Sequence, residues 1–310
     1  MIQKRAKLNR RSILSDWQFY LLLLPAIVIT FVFSYMPMQG IRLAFVDFDF
    51  RAGIWNSPLA GYFGFAHFRE IFLTPAFRDA VITTVWLNVL ALLVAFPAPI
   101  IFALLINEIK GRLFAKGFKR LVQTISYLPF FLSWIAITGL SITMLSPYGV
   151  INDVLFRMGI EPIRFLENRG TFVPLYLFLV VWRGVGWGSI IFLASMAAIS
   201  TELYEAATLD GANRFKQAWH ITLPSIMPTT MILLILQLGQ LFGSNFELVF
   251  GLQNPFMDFD VIATVVYRHG LLEGNQEIAT ALGLFQGAVA LLLTFGANAI
   301  SRKVSEVSLW

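Results

Sequence analysis

The chain has no cysteine in 310 residues, which excludes disulfides, thiolate metal sites and thiol nucleophiles. It has only three histidines, His67, His220 and His269, too far apart in sequence to share metal-ligand spacing, so no metal site is expected. Charge is scarce too: Asp, Glu, Lys and Arg make up 13% of the residues, against about 25% in soluble domains. The 18 acidic residues are outnumbered by 30 phenylalanines, and 57% of the chain is hydrophobic. A water-soluble surface cannot be built from that supply. A phosphate-binding loop is missing as well: the string from Gly111 to Gly117 lacks the four-residue spacing and the Lys-Ser/Thr that must follow it. No nucleotide cofactor is therefore expected in this chain, and any ATP-derived energy must come from another polypeptide.

What is present is long apolar sequence. A spanning helix needs about 20 predominantly apolar residues, and six stretches qualify: 17–39, 79–106, 121–145, 171–199, 224–250 and 278–300. The first follows KRAKLNRR. Its apolar run exceeds a signal peptide's, and no clear cleavage site follows it, so a retained anchor is expected. The net charge of +5 does not point to nucleic acid, because Lys and Arg cluster in short segments beside the apolar runs. With the N-terminus inside, fourteen of them fall in the inner segments 1–16, 107–120, 200–223 and 301–310, and eight in the outer ones. That bias places both termini in the cytoplasm. The expected fold is an all-α integral membrane bundle of six helices. A basic N-terminus (1–16) leads into a first helix and outside loop (17–78), then a five-helix core (79–300), then a cytoplasmic tail (301–310).

Pro97 and Pro99 fall within the second run, Pro129 in the third and Pro174 near the start of the fourth, where each removes a helix hydrogen bond and favours a kink. Gly184, Gly186, Gly188, Gly239, Gly243, Gly283 and Gly287 read as sites of close helix packing. Between the fourth and fifth runs lies the polar segment 200–223. Ser200 or Thr201 can cap a short helix with Glu202 in its first turn, and Gly211 can supply the left-handed residue that ends it. A second helix is expected from Asn213, with Phe215 and Trp219 on one face and Pro224 opening the fifth run. The result is a compact knob.

The order Glu205-Ala206-Ala207, Gly211, Ile221-x-Leu223-Pro224 resembles the coupling loop of bacterial ABC importer permeases, on which a separate ATPase docks. Further strings resemble the carbohydrate-uptake group, in its oligosaccharide and polysaccharide branch: Tyr148-Gly149-Val150-Ile151-Asn152, Trp182-Arg183-Gly184-Val185-Gly186-Trp187, Phe246-Glu247, Tyr267-Arg268-x-Gly270 and Asn298 to Lys303. The resemblance implies a permease subunit of the inner membrane, not an enzyme, that moves sugar by alternating access. It assigns ATPase docking to Glu205, Ala206, Ala207, Asp210 and Gly211. It also implies a second, non-identical permease, two ATP-binding subunits that hold ATP and Mg, and an extracytoplasmic solute-binding protein.

Polar groups inside a span are costly and tend to face a cavity or a neighbouring helix. Arg183, Gln237, Gln240, Asn245 and Glu247, with Trp187 and Tyr267 as aromatic neighbours, are the candidates for the substrate path. Arg183 suits an acidic sugar chain of the alginate kind, since a guanidinium can pair with carboxylates in bidentate fashion. It can equally serve a freed backbone carbonyl. A permease for an amino acid or anion would keep the same loop. A membrane glycosyltransferase would need acidic clusters, for which Asp47-Phe48-Asp49 and Asp258-Phe259-Asp260 are the nearest strings, both expected outside.

Overall fold

The computed structural model describes residues 17–109, 113–241, 243, 245–254, 257 and 259–305. The basic segment 1–16, Lys110, Gly111, Arg112, Asp258 and the tail beyond 305 lie outside the described residues. The described chain is almost wholly helical, and six helical units are long and apolar enough to cross a membrane: Trp17–Phe45, Pro75–Asn107, Trp134–Arg157, Arg169–Ala197, Arg214–Gly239 and Gln276–Arg302.

The first unit opens with α1 (Trp17–Thr30), none of whose residues is buried. It meets the bundle through its last part, where Leu43 and Ala44 are buried and Ala44 joins a cluster with Ile278, Ala281 and Leu282. The second unit is two helices, α2 (Pro75–Ala95) and α3 (Pro97–Asn107), parted at Phe96 by the prolines at 97 and 99. Past the undescribed residues comes α4 (Leu113–Tyr127). A continuous helix was expected over 121–145, but the structure breaks it. After a tight turn at Leu128–Phe131, Leu132 and Ser133 are extended, with ψ of 136° and 151°. Pro129 offers no amide to carry the helix on, and the Ser133 hydroxyl accepts from the Ala136 amide at 3.2 Å, capping a new helix, α5 (Trp134–Leu145).

The long α6 (Arg169–Ala197) is the spine. Its first half buries Phe172, Tyr176 and Leu179 against Leu87 of α2 and Ile137 of α5. Its last turns bury Phe192 and Met196 against Ala103 of α3. Then follow α7 (Thr201–Leu209) and α8 (Arg214–Gln217), and a π turn at Ala218–Thr222 that runs on into α9 (Leu223–Gly239). The second helix of the 200–223 segment is thus continuous with the fifth span instead of separate from it. The wide turn has a cause: the Leu223 amide reaches back five residues to the Ala218 carbonyl, and Pro224, next in line, has no amide to give.

The fifth span also ends earlier than expected. Gln240 leaves the helix at ψ 6°, and a separate short helix, α10 (Phe246–Leu252), follows. The Asn88 side chain of α2 donates to the Leu241 carbonyl at 2.8 Å, satisfying one group exposed by the break. α11 (Ile262–Tyr267) and α12 (Gln276–Ser305) complete the bundle.

Three of the seven glycines are packing sites within the chain: Gly186, Gly239 and Gly188, whose Cβ would press on the Pro99 ring at 3.0 Å. A Cβ on Gly186 would collide with the Ser126 backbone of α4, and one on Gly239 with the Thr294 hydroxyl of α12. Gly184, Gly283 and Gly287 face open space instead. Gly186→Val is therefore expected to cost about 1–3 kcal/mol through overpacking, whereas Gly184→Val should leave the melting temperature of the detergent-solubilised protein unchanged. Equal melting curves for the two variants would refute the assignment.

Candidate coupling loop and transport path

Within the 200–223 segment α7 is closed at its start by a side chain and at its end by the backbone. Ser200 caps α7 by accepting from the Glu202 amide. At the other end the Ala212 amide donates to the Ala207 carbonyl at 2.9 Å and the Gly211 amide to Thr208 at 3.1 Å, with Gly211 at φ 77°. That pair of bonds is the Schellman closure, and only glycine adopts its left-handed residue without strain. Asn213 then caps α8, its Oδ1 accepting from the Lys216 amide at 2.9 Å.

Cross-braces tie the two short helices into one knob. Gln217 Nε2 donates to the Thr208 hydroxyl at 2.9 Å, and the Tyr204 hydroxyl meets the buried Thr222 hydroxyl at 2.9 Å. Arg214 anchors the knob to the end of α3: its Nη1 lies 3.7 Å from the Glu108 carboxylate. Phe215 and Trp219 stack 6.4 Å apart, as their four-residue spacing predicts. Of the five residues expected to dock a partner, Glu205, Ala206, Asp210 and Gly211 are exposed and Ala207 is half-buried beneath them. Leu209, at 89% exposure, stands among them as a bare apolar side chain.

The transport-path candidates separate into three groups. Arg183 and Trp187 lie one turn apart on α6, and Asn245 meets the same helix about two turns earlier, at Tyr176. Tyr176, Arg183 and Trp187 lie seven and eleven residues along one helix, within about 20° of a common line. Opposite that line stand the two helix breaks. The Arg183 Nε donates to the Leu132 carbonyl at 3.1 Å, and its guanidinium lies over the Trp134 and Phe130 rings at 4.4 and 5.2 Å. Trp187 stacks on Phe130 at 4.5 Å, nearly parallel. Asn245 donates to the Tyr176 hydroxyl at 3.4 Å. Tyr267 sits apart in an aromatic set with Phe246 and Phe250, at 5.3 and 4.9 Å, beside a cavity of about 490 Å³. Gln237, Gln240 and Glu247 are exposed and, among the described residues, form no hydrogen bond with the Arg183 line.

Tyr176, Asn88 and Glu108, which bond to Asn245, to the Leu241 carbonyl and to Arg214, were not among the residues singled out in the sequence. Tyr176 and Glu108 read as ordinary span and span-end residues, and Asn88 gave the one usable signal, an amide within an apolar helix. Among the described residues the D-x-D strings make no metal site; Asp258 of the second lies outside them. Asp47 faces His67 at 3.5 Å, and Asp260 is held by Arg268 in a bidentate pair at 2.9 and 2.8 Å. Among the described residues no group of three His, Cys, Asp or Glu could hold a metal.

Comparison with known proteins gives this geometry a family. Residues 95–306, more than half of the chain, match the family described as binding-protein-dependent transport system inner membrane component. The chain is 38% identical to Protein LplB of Bacillus subtilis (strain 168), over 95% of this chain and 92% of that one. It is 39% identical to the polygalacturonan/rhamnogalacturonan transport system permease protein YteP of the same strain, over 99% and 94% of the two chains. Among solved structures it superimposes on a chain of a bacterial ABC transporter involved in import of the acidic polysaccharide alginate. That match has a TM-score of 0.85 and 38% identity, covering 95% of this chain and 98% of that one. A second structure of the alginate transporter, in complex with its pentasaccharide-bound periplasmic protein, matches with the same score and identity. The chain belongs to the inner-membrane component family of binding-protein-dependent transport systems: it is a multi-pass ABC importer permease, a transport subunit and not an enzyme.

Proposed function

We propose that the permease carries oligosaccharides or polysaccharides, acidic ones foremost, into the cytoplasm by alternating access. The observation that carries this reading is the closed knob at 200–223. It presents Glu205, Ala206 and Asp210 outward and joins two spans, α9 directly in sequence and α3 through Glu108 just past its end. A knob so braced transmits a push from outside the membrane to the bundle. Similarity to permeases whose names specify galacturonan and alginate supports a uronate substrate, and Arg183 is the cation within the span that suits one.

The partners in this reading are a second, non-identical permease, two ATPase subunits holding ATP and Mg, and a solute-binding protein that delivers the sugar. The knob docks on an ATPase through Glu205, Ala206, Ala207, Asp210 and Gly211. Both termini lie in the cytoplasm, in line with the Lys and Arg asymmetry. The test is ATP hydrolysis by the co-purified complex in lipid, with its binding protein, across uronate and neutral oligosaccharides. Stimulation by uronates above neutral sugars is expected; stimulation by neutral sugars alone would remove the acidic class, and by none would remove sugars.

A further inference from the structure

The end of the bundle farthest from the 200–223 knob carries a polar cavity that none of the path candidates lines. There α2 begins, and Asp79, Thr83 and Trp86 follow at steps of four and three residues, on one face of its first turns. Arg169, the first residue of α6, and Asp260 close the opposite side. The enclosed volume is about 350 Å³, at the small end of the range of about 300–1,000 Å³ typical of ligand sites.

Three observations say what kind of molecule fits. First, Thr83 is only 5% exposed and lines the cavity, yet its hydroxyl makes no hydrogen bond among the described residues. Its neighbour Thr84 shows the ordinary state, donating to the Ala80 carbonyl and accepting from the Ile262 amide, each at 2.8 Å. A helical threonine can return its hydroxyl to its own helix; Thr83, on the cavity wall, does not. Second, the charges nearly balance. Asp260 is paired with Arg268, and Asp79 lies 3.8 Å from Arg78, with Arg169 held over the Phe259 ring at 5.6 Å. Such a lining does not select a bare ion. Third, the Trp86 indole forms one wall, set edge-on against Phe259 at 6.3 Å. An aromatic wall beside a hydroxyl, a carboxylate and a guanidinium matches a ring with an apolar face and a polyhydroxyl edge.

We infer that this cavity receives one pyranose unit of the saccharide before it reaches the interior. Trp86 takes the ring face, and Thr83 and Asp79 take its hydroxyls. The position agrees with a path, because Arg169 precedes Tyr176 by seven residues and so heads the same line of α6 that carries Arg183 and Trp187. The Tyr176–Asn245 contact stands between the cavity and Arg183 on that line. This inference rests on the reading of the chain as a saccharide permease.

The absence of native cysteine makes the test direct. Thr83→Cys places the only thiol of this chain in the cavity, and Tyr148→Cys, at a fully exposed residue of the 146–168 connection at the same end, is the control. The complete importer in lipid vesicles is treated, without ATP, with a charged methanethiosulfonate. The probes are alginate pentasaccharide and maltopentaose, with ATPase stimulation measured on the same preparation. At a stimulating saccharide concentration about ten times its Kd, the modification rate at Thr83→Cys should fall about ten-fold by mass action, while Tyr148→Cys is unaffected. Equal rates with and without a saccharide that does stimulate ATP hydrolysis would overturn the cavity and leave the permease reading intact. Stimulation by neither probe would overturn both. Protection by the sugar-free binding protein alone would give the cavity to a cationic side chain of that protein and overturn the saccharide assignment. Thr83→Val, which keeps the shape and deletes the hydroxyl, supplies a second reading. The saccharide concentration for half-maximal stimulation should rise about three- to ten-fold, the size of one lost hydrogen bond; an unchanged concentration counts against the site.

Discussion

Replacing Gly211 by proline is expected to abolish sugar-stimulated ATP hydrolysis in a complex that still assembles. The residue sits at φ 77°, and proline locks φ near −65°, so the substitution reverses the turn at this point. It also deletes the amide that donates to the Thr208 carbonyl. The combined cost is about 3 kcal/mol or more, beyond what one Schellman closure and two cross-braces can hold. A graded series separates conformation from contact. Nothing lies within 4 Å of a Cβ built on Gly211, so side-chain size has no steric role there. Asn, which tolerates the left-handed region, should retain most of the activity. Ala should lose part, at about 1–2 kcal/mol for the same backbone, and Val more. If Pro and Asn variants hydrolyse ATP alike when sugar is added, the knob is not the element through which the ATPase acts.

Why that knob was readable in advance, and the rest of the path less so, follows from where the information resides. Ser200, Gly211 and Asn213 act on neighbours within five residues, so caps and closure are written locally and could be placed by residue type. The six spans were legible for a related reason: hydropathy reports length and composition, which decide whether a helix suits a bilayer. Breaks within spans are another matter. Pro129 marked the third run as kinked, but a kink and a complete interruption at Leu132 and Ser133 differ in what receives the freed carbonyl. That receiver, Arg183, stands 51 residues away. The early end of the fifth span depends likewise on Asn88, 153 residues from Leu241. The Glu108–Arg214 anchor crosses 106 residues. Such pairings satisfy backbone and charge across the bundle, and periodicity along one segment carries no trace of them. The glycines make the same point, since Gly184 and Gly186 are two residues apart in one motif, yet one faces open space and the other a backbone.

Arg183→Met is expected to lower stability and uptake together, and Arg183→Lys to separate the two. The guanidinium supplies the donor for the Leu132 carbonyl at the third-span break and lies between two aromatic faces. Methionine keeps bulk and removes both. An unpaired carbonyl costs about 1–3 kcal/mol where water cannot reach it, and the lost cation–π contacts about 0.5–2 kcal/mol. The melting temperature of the purified complex should therefore fall by several degrees. Lysine can reach the carbonyl as a point charge but offers no planar fork, so most of the stability should return. The bidentate geometry for a substrate carboxylate should not. If the remaining guanidinium donors serve a uronate, Arg183→Lys raises the concentration of uronate oligosaccharide needed for half-maximal ATP hydrolysis about ten-fold, one lost charge-assisted hydrogen bond. The response to any neutral sugar is then unaltered. If Arg183 serves only the break, lysine restores both melting temperature and uronate response. A lysine variant with wild-type uronate response would thus remove Arg183 from the sugar path and leave it as the clasp that holds α4, α5 and α6 together.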